Sequence, residues 1–289
     1  MPAFRNLLRR VLPALLLAAT AAAHADGRHF LWQVAGERNT VYLLGSIHAL
    51  RASDYPLAEP IQRAYRHAEA LVLEIRLPDD GGQEMAAQMA AEAGPGLAEQ
   101  LGQGQYRQAQ KLARKQGVDL DSLSHLDPWL AGLVVMQGAL ARAGYQPGQG
   151  LDAHFQGRAQ ANGKPILSLE TPADQLRLFD DLPREMQGDF LLRALEEAGN
   201  LADSLDGLVA AWKAGRVAKV KRLVLAEFRP YPGLYDRLVV QRNRNWLPQI
   251  ESFLDDRRDY LVVVGAAHMV GEQGLVAMLR RRGHRVSQR

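Results

Sequence analysis

The chain has 289 residues, 47% of them hydrophobic and 23% charged, and it contains no cysteine. Its length fits one large domain or two smaller ones, and the missing thiols exclude disulfides, thiolate metal sites and a cysteine nucleophile. The formal charge of +3 vanishes when Arg5, Arg9 and Arg10 are set apart, because 32 basic residues then face 32 acidic ones; no global attraction to nucleic acid remains, and no nucleic-acid partner is expected.

Those three arginines open a stretch that reads as a secretory signal peptide over residues 1–25. The apolar run Val11 to Ala22 is short for a membrane span, and Ala23-His24-Ala25 has the A-x-A form of a cleavage site. The expectation is an exported protein without a stable membrane anchor after cleavage, periplasmic in a Gram-negative host and otherwise secreted. Residues 26–289 are expected to form a single domain.

In chain order, His29–Val34 and Thr40–Leu44 read as a hairpin around Ala35-Gly36-Glu37-Arg38-Asn39. A helix is expected over Pro56–His67, then a buried strand over Ala70–Ile75. A long Ala-, Gln- and Leu-rich block, 83–163, reads as a helical insertion broken at Gly94-Pro95-Gly96, Asp127-Pro128 and Pro147-Gly148. A third buried strand spans Lys164–Leu169, and helical patterns run from Pro172 to about Asp256. The last strand, Asp259–Val264, precedes a helix over Glu272–Arg282 and a short closing strand at Arg285-Val286. Strands alternating with helices predict an α/β fold: a mainly parallel or mixed sheet flanked by helices, its C-terminal edge capped by the helical block.

One pattern occurs twice. Gly45-Ser46-Ile47-His48 follows the apolar run ending at Leu44, and Gly265-Ala266-Ala267-His268 follows the run ending at Val264. In α/β folds ligands bind at strand C-termini, and Gly45 and Gly265 let the backbone turn or approach a ligand closely. Two further strands end on carboxylates, Glu74 and Glu170. A carboxylate on a strand as apolar as Val72-Leu73-Glu74-Ile75 has to be paired, protonated or bound to a metal. Two imidazoles and two carboxylates suit Zn, Mn, Fe(II) or Co, and equally suit metal-free acid–base chemistry. Glu74 has a possible partner in Arg76 or Arg242, and Glu170 stands before a Thr171-Pro172 helix start. Asp152 and His154 reach such a site only if their helix packs over the strand ends; otherwise Asp152 is a helix cap. Arg242 and Asn243 open a helical stretch, with the arginine suited to neutralising carboxylates. No Gly-x-Ser-x-Gly elbow, phosphate-binding lysine loop or His-Glu-x-x-His helix is present.

These landmarks together resemble the TraB/GumN (TraB/PrgY/GumN) family, which is similar to the Tiki metalloproteases. The resemblance rests on Leu44-Gly45-Ser46-Ile47-His48, Leu73-Glu74, Leu151-Asp152-Ala153-His154-Phe155, Gly163-Lys164-Pro165 through Leu169-Glu170-Thr171, Gln175, Arg242-Asn243 and Val264 to Gly271. It implies a metal-dependent hydrolase, of peptidase type, acting on a peptide or protein substrate. His48 and His268 would bind a divalent ion (Mn, Co or Zn), Glu74 and Glu170 would act as ligand and base in an order left open, and Asp152, His154, Gln175, Arg242 and Asn243 would bind substrate or support the ligands. A metal-free His/Glu hydrolase and a non-catalytic protein that sequesters a peptide or metal in the same cleft are the alternatives.

Overall fold

The computed structural model describes residues 27–77, 95–230 and 232–289. The expected signal segment and the first part of the expected helical block lie outside the described residues. Among those described, no helix is long and apolar enough to cross a membrane.

The centre of the fold is a mixed six-stranded sheet: β1 (Leu31–Ala35), β2 (Thr40–Ser46), β3 (Ala70–Leu73), β4 (Ile166–Ser168), β5 (Tyr260–Gly265) and β6 (Val286–Gln288), in spatial order β4-β3-β5-β2-β1-β6. β2, β5, β3 and β4 are parallel neighbours, and β1 runs antiparallel to both β2 and β6. The α/β expectation therefore holds, with the hairpin and the closing strand supplying the antiparallel part. β3 and β5 are buried along their whole length, which explains their unbroken Val/Leu runs: a parallel strand covered on both faces has no polar side to alternate with.

The register delivers the site. Gly45 pairs with Val264 and Ser46 with Gly265, so the two Gly-x-x-His motifs leave adjacent strands one residue out of step. Leu73 lies opposite Val263 on one side and Ser168 on the other, and the Glu170 N–H donates to the Glu74 carbonyl at 3.0 Å. Four parallel strand ends thus line up along one edge as Glu170, Glu74, His268 and His48.

Helices cover the sheet. α1 (Glu59–His67) buries Ile61, Ala64 and Tyr65, and α4 (Leu151–Ala161) buries Leu151, Phe155 and Ala159; both belong to the sheet's core. A second, separate core is formed by α2 (Leu97–Gln116), α3 (Pro128–Arg142) and α6 (Arg184–Glu197), around Leu97, Leu101, Val135, Leu191 and Leu195. This second core draws on residues beyond the 83–163 block, while α4, within that block, packs on the sheet. α5 (Pro172–Asp180), α7 (Leu201–Lys213) and α8 (Val217–Phe228) complete the wall over the strand ends. α5 starts as expected: Thr171 accepts from the Asp174 N–H, Asp174 caps back, and Pro172 occupies the first turn.

Two contacts fix the turn after β2. Trp212 Nε1 on α7 donates to the Gly45 carbonyl at 2.6 Å, and Arg51 donates to the Ala143 carbonyl and to Asp206. Gly45 has no room for a side chain: a Cβ there would stand 2.4 Å from Cδ1 of the buried Phe30 ring. Gly45→Ala should therefore destabilise the protein by about 1–3 kcal/mol, the usual cost of overpacking, measured by urea unfolding; a change within about 0.5 kcal/mol would contradict this packing.

Candidate functional site

α9 (Pro232–Tyr235), a π-helical segment over Asp236–Gln241 and α10 (Arg242–Leu254) run as one continuous element. π-helical segments frequently mark functional positions, and this one ends at Arg242. The Arg242 side chain is 11% exposed and lies between two strand-end carboxylates, the buried Glu74 and the half-buried Glu170. Nη2 donates to Glu74 Oε2 at 2.5 Å and to Glu170 Oε1 at 2.5 Å, and Nε reaches both Glu170 oxygens at 3.1 and 3.2 Å. Nη1 donates to the Leu238 carbonyl and to His268 Nε2, at 3.1 and 3.2 Å. Trp246, one turn along α10, packs its ring 4.5 Å from the guanidinium and donates Nε1–H to Glu170 Oε2 at 3.2 Å.

Glu74 has a second set of partners. Oε1 accepts from the Gly265 N–H at 2.6 Å and Oε2 from Gln175 at 3.1 Å. Burial opposes its ionisation, but the charge that His268 takes up in acid, those of Arg242 and His48, and the Gly265 N–H overcome this and hold its pKa at about 2.

The twin motifs place their histidines in opposite environments. His268 sits on α11 (Ala266–Met269), a single turn following β5, with its side chain 5% exposed. Asn243 donates its amide to the carbonyls of His268 and Gln273, so its Oδ1 accepts from His268 Nδ1–H at 2.7 Å. That leaves Nε2 as the acceptor facing Arg242 and 3.8 Å from Glu74 Oε1. Burial holds the His268 pKa down to about 3, so the ring is neutral. His48 is 64% exposed, opening onto the cavity. Its Nδ1 donates to Asp152 Oδ2 at 2.8 Å, and Ser46 Oγ donates to the other Asp152 oxygen at 3.2 Å. Asp152, with Glu74 behind it, raises the His48 pKa to about 9 against the opposing effects of desolvation and Arg242. His48 Nε2 and Glu74 Oε1 both face Gly265, where a Cβ would stand 2.9 and 3.3 Å from them. The missing side chain of Gly265 thus leaves room for both groups on the same side of the backbone.

The structure brings His48, Glu74, Gln175, Asp152, Arg242 and His268 to one cavity of about 560 Å³. Glu170 and Asn243 stand behind this lining, on Arg242 and His268. His154 is directed elsewhere, its ring packed at a tilt against Tyr55 with centroids 4.8 Å apart. Three further residues support the site: Ser46, which holds Asp152; Trp246, whose spacing of four from Arg242 on a helix was its available signal; and Gly150, where a Cβ would fall 2.1 Å from the His48 carbonyl oxygen.

The expected metal ligands meet a different arrangement. The Nε2 lone pair of His268 already accepts from Arg242, and both glutamates are engaged by the same guanidinium. Among the described residues no three His, Asp or Glu side chains are grouped to hold a metal ion. A divalent ion shared by His48, His268 and either glutamate does not fit while Arg242 stays in place.

Two outcomes follow. Glu74 has a folded pKa of about 2 against an ordinary 4.5, so its stabilising contribution is complete above 4.5 and lost as pH falls toward 2. Arg242→Met should cost about 3–5 kcal/mol at pH 7 by leaving the buried Glu74 carboxylate without its guanidinium, and less at pH 4, where Glu74, freed from that charge, takes up a proton; a pH-independent loss in denaturant titrations would contradict the pairing. His48 is shifted the other way, so its contribution is complete below 6.5 and lost as pH rises through about 9. His48→Ala should flatten the stability profile in that window, and an unchanged slope would contradict the Asp152 pairing.

The chain matches the model of the TraB/PrgY/gumN family over residues 30–288. It is 26% identical over 266 residues to the proteins named YbaP of Escherichia coli (strain K12) and Shigella flexneri, covering 90% of this chain and 97% of each relative. A protein of Amphimedon queenslandica named a Metalloprotease TIKI homolog is 28% identical over 165 residues, 47% of this chain and 32% of that one. No solved structure matches. With its strand-end histidines and glutamates in place and the family model spanning nearly the whole chain, this protein belongs to the TraB/PrgY/gumN family.

Proposed function

We propose that this protein is a hydrolase that cleaves amide bonds in a peptide or protein substrate, with His48 and Glu74 as its acid–base pair. The observation that carries this reading is that His48 Nε2 and Glu74 Oε1 both face the bare backbone of Gly265, a charged imidazole and an ionised carboxylate at the floor of one cavity. At neutral pH His48 holds a proton on Nε2 and Glu74 does not, so the pair contains one donor and one acceptor.

Hydrolysis then runs as follows. Water attacks the scissile carbonyl carbon and gives its proton to Glu74 while His48 Nε2–H hydrogen-bonds the carbonyl oxygen; as the C–N bond breaks, that proton passes from His48 to the leaving amine, and the proton on Glu74 returns through solvent water to His48, which restores the pair. The products are a carboxylic acid and an amine. A carboxylate with a pKa of about 2 is a weak base, but His48 is one of the charges that hold it there. As the Nε2 proton shifts toward the carbonyl oxygen during attack, that hold weakens and Glu74 becomes a better base, which couples the two groups. Asp152 orients the His48 ring, as the third member of such constellations does, and Arg242, which also donates to His268 Nε2, holds Glu74 in position.

The likeness to a protein named as a metalloprotease homologue supports a second reading, in which a divalent ion (Mn, Co or Zn) binds at His48. Reaching His268 as well would require Arg242 to leave its Nε2. A bound metal would lower the pKa of a coordinated water. The motifs also suit a protein that holds a peptide without turnover. The signal-like segment favours export.

Peptide digestion read by mass spectrometry tests the first reading. His48→Ala and Glu74→Gln should each lower kcat/KM by about 10²–10⁴-fold, the range for removing a general acid or base, with folding retained by circular dichroism. The wild-type profile should fall on its alkaline side near pH 9. Full activity in both variants would refute the pair, and activity lost to chelators and restored by Mn, Co or Zn would favour the metal reading.

A further inference from the structure

Above its charged floor the cavity has a different chemistry. Its ionisable lining groups are His48, Glu74, Asp152, Arg242 and His268, all at or facing the strand ends. The wall over them comes from α5, α7 and α8 and presents Leu178, Phe179, Leu205, Leu208, Val224 and Phe228. All six are half-buried; Leu205, Leu208 and Val224 pack against the sheet's core on one side and line the cavity on the other. Apolar area thus lines the same cavity as the groups proposed to do the chemistry.

We infer that this wall is a specificity pocket for substrates carrying bulky uncharged apolar side chains beside the scissile amide, an inference that rests on the hydrolase reading. A volume of about 560 Å³ falls within the usual ~300–1,000 Å³ of ligand sites, enough for a short peptide segment. A substrate Asp, Glu, Lys or Arg placed against the wall would lose its hydration and find no partner there, which is strongly unfavourable. A Leu, Ile, Met or Phe would cover the wall and gain from the water released. The charged floor handles the amide while the wall selects its neighbours.

The test is a set of short peptides varied at single positions, incubated with the full mature protein and read by mass spectrometry and calorimetry. Apolar residues at the selected position should raise kcat/KM by about 100-fold or more over charged ones, on the scale by which buried polar mismatches are rejected. Leu205→Lys, away from the floor, should reduce or reverse that preference; Leu205→Gln serves as the milder change if the lysine variant does not fold. Cleavage that favours charged or small residues overturns the inference and leaves hydrolysis standing. If no peptide is cleaved, the hydrolase reading fails and binding decides the pocket: apolar peptides held about tenfold tighter than charged ones, with the difference lost in Leu205→Lys, support it, and equal affinities overturn it.

Discussion

The arrangement of this protein's strand ends depends on one guanidinium. Two carboxylates on neighbouring parallel strands, both nearly out of solvent, would repel each other and resist burial if left alone. Arg242 resolves both problems by bonding to each and stacking on Trp246. A planar, permanently charged fork suits this position in a way a lysine ammonium does not. The same side chain also faces His268, so the ionisation of Glu74, the burial of Glu170 and the neutrality of His268 are linked through it.

From this follows the asymmetry of the paired motifs. Both histidines come three residues after a strand-end glycine, on adjacent parallel strands. The stagger of one residue and the different neighbours then separate them: His268 turns inward to Asn243 and Arg242 and loses its proton, whereas His48 faces the cavity and is held charged by Asp152. Divergent environments for similar titratable groups are how a fold obtains an acid and a base from residues that titrate alike in water. Here the charged histidine opens onto the cavity beside the ionised Glu74, and the neutral one accepts from the arginine that pairs with it.

Much of this was legible in the chain itself. The strands declared themselves through unbroken Val/Leu runs, and each ended near a polar residue that needed a reason to be there. Thr171-Pro172 read correctly as a helix start. The residue types also suggested Arg242 as a partner for Glu74. What the sequence withheld were distances and directions. Histidine and glutamate together read as metal ligands because nothing in their order reveals that a guanidinium stands against His268. His154 shares a motif with Asp152, yet two residues further along α4 the side chain leaves on another face. Gly150 was silent for a similar reason: its need for a bare backbone arises from the His48 carbonyl, about a hundred positions away.

The central claim is that two histidines in the same motif rest in opposite protonation states around a shared arginine. Ring-nitrogen NMR of the 15N-histidine-labelled protein, titrated from pH 5 to 10 with and without Zn, measures this directly. The account predicts His48 doubly protonated at pH 7 with a midpoint near 9, and His268 neutral throughout, protonated on Nδ1 with its signals unmoved by Zn. Two histidines titrating together near pH 6.5, or both Nε2 signals shifting as one Zn binds, would contradict it.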